Sequence, residues 1–193
     1  MFSVALGASA QGTILLEDIS INPYVDTDVI GNYYTGVFGI EVWALYGATL
    51  PAGINLPPAP GSGVAGYNAM VADGFTLEAT FANQTMNGGL FFVGNVNGVA
   101  LPTIPGGNAV IALAVWNTSA SSWSAMLGTA NGATRAGVIA FVNVVTPWYL
   151  DNQPASPLDG WTEDLVMAAV PEPGTLALAG MAIAIVLVLG RRR

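Results

Sequence analysis

Eight apolar residues in succession, Ala109 to Trp116 (AVIALAVW), set between Asn108 and Asn117, limit what this chain can fold into more than any other stretch. The run has the length of a strand and contains the β-branched residues Val110, Ile111 and Val115. Side chains alternate between the two faces of a strand, so a strand without a polar position has no face to offer water. Ala109 to Trp116 is therefore expected to be a central strand, covered on both sides or packed under long loops.

The remaining apolar segments are also short and are separated by turn residues. Gly12 to Ile19 reads as a first strand, broken at Asn22-Pro23 and followed by an Asp- and Asn-containing loop to Tyr34. Val37 to Tyr46, carrying Phe38, Trp43 and Tyr46, reads as a second. Pro51, Pro57, Pro58 and Pro60 make Ala48 to Gly63 a long irregular connection, because proline cannot donate to a ladder. Val64 to Val71 is expected to be a further strand. Phe75 to Phe81 alternates apolar and polar residues, which implies one face on a core and the other in water. Turns at Asn87-Gly88-Gly89 and Asn97-Gly98 flank another strand from Leu90. Trp123 to Leu127, Gly137 to Val145 (ended by Pro147) and an edge strand at Leu165 to Ala169 complete the pattern. No helical period precedes Leu176. The fold class expected is all-β, an antiparallel β-sandwich ectodomain followed by one C-terminal transmembrane helix.

The side-chain inventory excludes much chemistry. The chain has no histidine, cysteine or lysine. Serine or cysteine nucleophiles with a nitrogen base, disulfides and sulfur or imidazole metal sites are thus ruled out. Residues 11–170 hold eleven acidic residues against Arg135 alone, a net charge of about −10, which repels nucleic acid. No cofactor is implied.

The C-terminus has a different character. Pro171-Glu172-Pro173 precedes an uncharged apolar run from Leu176 to Gly190, and Arg191, Arg192 and Arg193 follow it. A helix satisfies its own backbone groups in lipid, and arginines behind it hold that end in the cytoplasm. Fifteen residues span roughly 22 Å against about 30 Å of hydrocarbon, so the anchor is only just long enough. The two prolines keep the motif extended. This tail resembles the PEP-CTERM sorting signal of exported proteins in Gram-negative bacteria. The resemblance implies recognition by an exosortase, a membrane cysteine protease-transpeptidase that removes the helix near the motif and passes the ectodomain to the cell surface or extracellular matrix. Anchoring in the inner membrane would then be transient.

Ala8-Ser9-Ala10 before Gln11 fits a signal-peptide cleavage pattern, and Met1 to Ala10 reads as part of a leader, with a short strand as the alternative. The expected organisation is a partial signal peptide at 1–10, a β-sandwich ectodomain at 11–169 and the sorting signal at 170–193. The Val42 to Gly47 strand and the Pro105 to Trp116 stretch are similar to ectodomains that precede such tails in Verrucomicrobia-like bacteria.

Within the ectodomain, Asp26 and Asp28 have a calcium-like spacing without the further ligands of a calcium loop, so turn-capping in a solvated loop is the better reading. Glu163-Asp164 reads as a charged edge that discourages strand pairing. Glu17, Glu41 and Glu78 sit on strands, where a glycosidase would need two carboxylates in one cleft. Trp43 and Trp116 are expected in the core. Trp148 and Trp161 lie in loops, where flat rings can serve as platforms for sugars. The function these features imply is an exported, non-enzymatic structural or adhesive component of an exopolysaccharide-rich envelope. A carbohydrate-binding module is the alternative, and a sugar-acting hydrolase is a second alternative.

Overall fold

The computed structural model describes residues 11–18, 23–47, 49–100, 108–144, 146–147, 155 and 157–172 of the chain. The expected leader at 1–10, Trp148, Pro173, the apolar run and the arginines at 191–193 lie outside them. Among the described residues no helix is long and apolar enough to cross a membrane.

The described elements, in order, are β1 (Gln11–Glu17), β2 (Val25–Thr27), β3 (Gly36–Tyr46), α1 (Ser62–Ala72), β4 (Thr76–Met86), β5 (Phe92–Ala100), β6 (Asn108–Trp116), α2 (Trp123–Gly128), β7 (Arg135–Val144), β8 (Thr146–Pro147) and β9 (Leu165–Ala169). The chain is built mostly of strands, as expected. They form a three-stranded sheet in the order β5-β1-β8 and a six-stranded sheet in the order β2-β9-β7-β6-β3-β4. One pair, β2 with β9, is parallel, so the sheets are not purely antiparallel.

β6 explains the layering. Ala109, Ile111, Leu113 and Val115 point into a core shared with Ile14, Leu16 and Val96 of the smaller sheet. Val110 and Ala112 face the opposite way, into a cluster with Ile54, Met70 and Phe75, while Ala114 and Trp116 pack with Trp123 and Met126. The strand is thus covered on both faces, by a sheet on one side and by α1, α2 and the 50s loop on the other. β3 follows the same alternation, with Phe38, Ile40, Val42 and Ala44 toward the smaller sheet and Trp43 and Leu45 toward the helices.

Two expected strands are helices. Val64 to Val71 lies within α1, whose buried positions are Gly63, Gly66 and Met70. That spacing is helical, but two of the three residues are glycines, so the buried face carries no apolar signal. The glycines are there because the helix lies close on its neighbours. A Cβ on Gly63 would overlap the Ala136 carbonyl oxygen, and one on Gly66 would sit 2.5 Å from that of Ile54. Trp123 to Leu127 lies in α2, which buries Trp123 and Met126 and is capped by Ser122, whose hydroxyl accepts from Ala125 N at 3.2 Å. A serine at the N-cap was the one local sign of that helix.

β4 is an edge strand and departs from simple alternation. Its register against β3 shifts between Val42 and Trp43, where Glu78 is the extra residue, and again between Phe38 and Ile40, near Asn83 with its φ of 59°. Each bulge reverses which residues face which layer. Phe75 therefore packs on the helix side while Ala79 and Phe81 pack toward the smaller sheet, and Leu77 is 44% exposed. The expectation of one dry and one wet face for Phe75 to Phe81 does not hold.

Candidate functional site

The expected sorting segment begins directly after β9. β9 is not the edge strand expected, because it lies between β2 and β7. It pairs with β7 through Ala168 to Ala136 and Ala169 to Arg135. Gly61, which precedes α1 with φ of 82°, donates its N–H to the Ala169 carbonyl at 2.8 Å. Val170 donates its N–H to the Thr134 carbonyl at 3.0 Å, and its side chain is buried against Trp116, Trp123 and Met126. Pro171 then lies over Gly61, where a Cβ would meet the proline Cγ at 3.4 Å. Glu172 turns back toward Gly132, its Oε1 3.5 Å from where a Cβ of that glycine would stand. Of Pro171, Glu172 and Pro173, the first two are described, Pro171 half-buried beside Gly61 and Glu172 exposed near Gly132.

Glu41 is the best-connected carboxylate. It is 3% exposed. Oε1 accepts the Trp123 main-chain N–H at 2.9 Å, and Oε2 accepts the Trp43 indole N–H at 3.0 Å and the Tyr67 hydroxyl at 3.2 Å. The Tyr67 ring stacks on Trp123 with centroids 4.5 Å apart and planes within 3°, and meets Trp43 edge-on at 5.6 Å. Burial pushes the Tyr67 hydroxyl pKa upward, and the charge of Glu41 and the hydrogen bond to it act in the same direction. This network joins β3, α1 and α2. Sequence reading named Glu41, Trp43 and Trp123 one by one but did not bring them together with Tyr67, because Tyr67 and Trp123 lie in segments expected to be strands that are helices. With three donors on its oxygens, Glu41 serves as a structural hub, and it lines neither of the two clefts described below.

Asp26 and Asp28 act separately. Asp26 is fully buried, not solvated, and its Oδ2 accepts the Gly31 N–H at 2.6 Å to close a turn. Burial raises its pKa, with the charge of Asp164 adding to the effect against the Gly31 bond. Asp28 instead pairs with Arg135, its Oδ1 accepting from Nε at 2.7 Å. Among the described residues no three acidic side chains are grouped to hold a metal.

Glu163-Asp164 does not keep strands apart. Asp164 Oδ1 accepts the Tyr24 N–H at 2.8 Å, and Leu165 donates to the Tyr24 carbonyl at 2.9 Å, which together start the β2 and β9 pairing. Trp161 is not an exposed platform either. It is 1% exposed, its ring parallel to Phe141 within 9° at 6.2 Å and 6.1 Å from Phe91. Local composition suggested a surface loop, but a Gly160 packed on Val142 and a Leu158 N-terminal to it fold the indole inward. A Cβ on Gly160 would overlap the Val142 carbonyl oxygen.

Two clefts lie side by side along β7 beyond the point where β9 leaves it. The larger, of about 500 Å³, is lined by Leu56, Pro57, Pro58 and Val138, with Glu163 and Asp164 at one side. The smaller, of about 290 Å³, reaches Phe141, Thr162 and an edge of Trp161. Asn55 stands between them and bonds Ala140 as a strand would, donating to its carbonyl at 2.8 Å and accepting its N–H at 2.7 Å.

Comparison with known proteins identifies one part of the chain. The family model of the PEP-CTERM protein-sorting motif matches residues 169–193. No curated protein and no solved structure matches the chain. The chain therefore carries a PEP-CTERM sorting motif, and that motif begins inside the folded domain, at the last residue of β9.

Proposed function

We propose that this chain is an exported protein sorted by an exosortase, held briefly in the inner membrane by its C-terminal helix, and released to the cell surface or extracellular matrix as a structural or adhesive component of an exopolysaccharide-rich envelope. The observation that carries this reading is the sorting-motif match at 169–193, which coincides with the order of the Pro171-Glu172-Pro173 handle, the apolar run and the arginines in the sequence. The role is non-enzymatic. What supports this is the engagement of Glu41 in a buried network and the lack of histidine, cysteine and lysine. An acidic domain with a net negative charge and few basic residues would stay soluble among neutral polymers without binding nucleic acid.

The test is mass spectrometry of the protein recovered from its native cells. A start at or near Gln11 and loss of Leu176 to Arg193 are expected. A surface form that retains the three arginines would mean a permanent anchor.

A second reading, a carbohydrate-binding module, draws on the larger cleft, whose apolar wall and carboxylate rim suit the faces and hydroxyls of a sugar chain. It no longer draws on Trp161. A glycan array would show a saturable signal weakened by Leu56→Ala and Trp148→Ala if this reading is right, and no saturable signal if it is wrong.

A further inference from the structure

We infer that the folded domain holds its own sorting handle shut, so that processing requires the end of β9 to peel away from β7 and α1. The inference rests on the sorting reading above and adds a step to it.

The handle has no linker. Ala168 to Val170 are held by the domain: Ala168 and Ala169 by pairing with β7, Ala169 again through Gly61, and Val170 through Thr134 and its buried side chain, while Pro171 and Glu172 follow directly, near Gly61 and Gly132. Enzymes that cut or transfer peptides take an extended segment whose main-chain groups are presented to the enzyme's own backbone. Two residues beyond Val170 reach at most roughly 7 Å. That is less than the about 10 Å that separates two β-sheets packed face to face. An enzyme cleft therefore cannot close around Pro171 and Glu172 while Val170 remains in place.

Release is local. It breaks the Gly61 to Ala169 and Val170 to Thr134 bonds and the pairing of Ala168 and Ala169 with β7, and exposes one valine, while the core between the two sheets is untouched. Such partial opening lies well below global unfolding in cost, which makes it a usable gate. The domain's packing around Trp116, Trp123 and Met126 then sets how often the handle is offered.

The test uses the full chain in an exosortase-bearing host, followed by pulse-chase loss of the C-terminal helix. One variant carries six Gly and Ser residues between Val170 and Pro171, which frees the handle. A second carries the same six between Thr175 and Leu176, which adds the same distance from the membrane but leaves the handle docked. The first is expected to be processed roughly tenfold faster or more, equivalent to about 1.4 kcal/mol of opening, and the second at the parent rate. Equal acceleration in both, or none in either, would overturn the inference. Hydrogen exchange on the intact chain in detergent supplies a readout that needs no enzyme. Slow exchange at the Val170 and Gly61 amides is expected, and exchange at the rate of free peptide would overturn it. Slow exchange combined with no cleavage of any variant would instead sink the sorting reading, and this step with it, while leaving the docked handle standing.

Discussion

The main-chain N–H of Trp123 donates to Oε1 of Glu41 at 2.9 Å, joining the first turn of α2 to the middle of β3 across 82 positions of sequence. The same carboxylate holds the Tyr67 hydroxyl of α1. One side chain thereby fixes both helices to the larger sheet.

Replacing Glu41 with alanine is expected to destabilise the protein by about 2–3 kcal/mol, because one buried and two half-buried donors lose their acceptor, the buried one at about 1–3 kcal/mol. Urea denaturation followed by tryptophan fluorescence measures this. A loss below about 1 kcal/mol would show that water replaces the carboxylate and that the hub is not required.

Trp161→Ala is expected to cost about 3–5 kcal/mol, the range for removing a large buried aromatic. Its ring lies between Phe141 and Phe91 in the core between the sheets. A surface platform would lose glycan affinity and keep its stability, so thermal denaturation of the variant separates the two roles.

Gly63→Ala is expected to destabilise by about 1–3 kcal/mol, although alanine favours helices. The added methyl would overlap the Ala136 carbonyl oxygen of β7, which cannot rotate away as a side chain can. Gly128, at the end of α2, has no atom within 4 Å of its Cβ position and serves as the control. Chemical denaturation of the two alanine variants should show a loss at 63 and little change at 128.

Stability is expected to fall as pH rises through neutrality. Burial pushes the Asp18 carboxyl up to about 7 from an ordinary 3.8, against the lowering effect of the Phe91 N–H that it accepts at 2.5 Å. The folded state therefore holds a proton that the unfolded state releases. The associated stabilisation is complete below about pH 4 and is lost as pH rises through about 7. Asp26, also raised by burial, acts with the same sign. Melting temperatures measured from pH 5 to 8 should decline, and Asp18→Asn should flatten that slope. An unchanged slope in the variant would place the titration elsewhere.

Residues 109–116 and Asp164 show which features were legible in the sequence. A strand with apolar residues at every position states its own need for cover, since both of its faces are written in consecutive residues. Asp164 carries no such statement. Its neighbours Glu163 and Thr162 mark it as surface, yet its partner is the Tyr24 amide 140 positions away. The same holds for Gly63 and Gly66, whose lack of side chains hid a helix until the neighbouring backbone at Ala136 and Ile54 gave them a reason.

By itself the sequence determined the strand-rich class, the two-sided burial of β6 and the sorting tail. Each depends on the order of residue types along a short stretch, and a lipid bilayer or a water-exposed strand face responds to that order directly. Tertiary structure alone decided that α1 and α2 are helices, that Trp161 is core, that Glu41 is a hub and that the sorting handle lies against the domain. Those outcomes depend on contacts between residues far apart in the chain, where packing against a distant backbone outweighs what adjacent residues prefer.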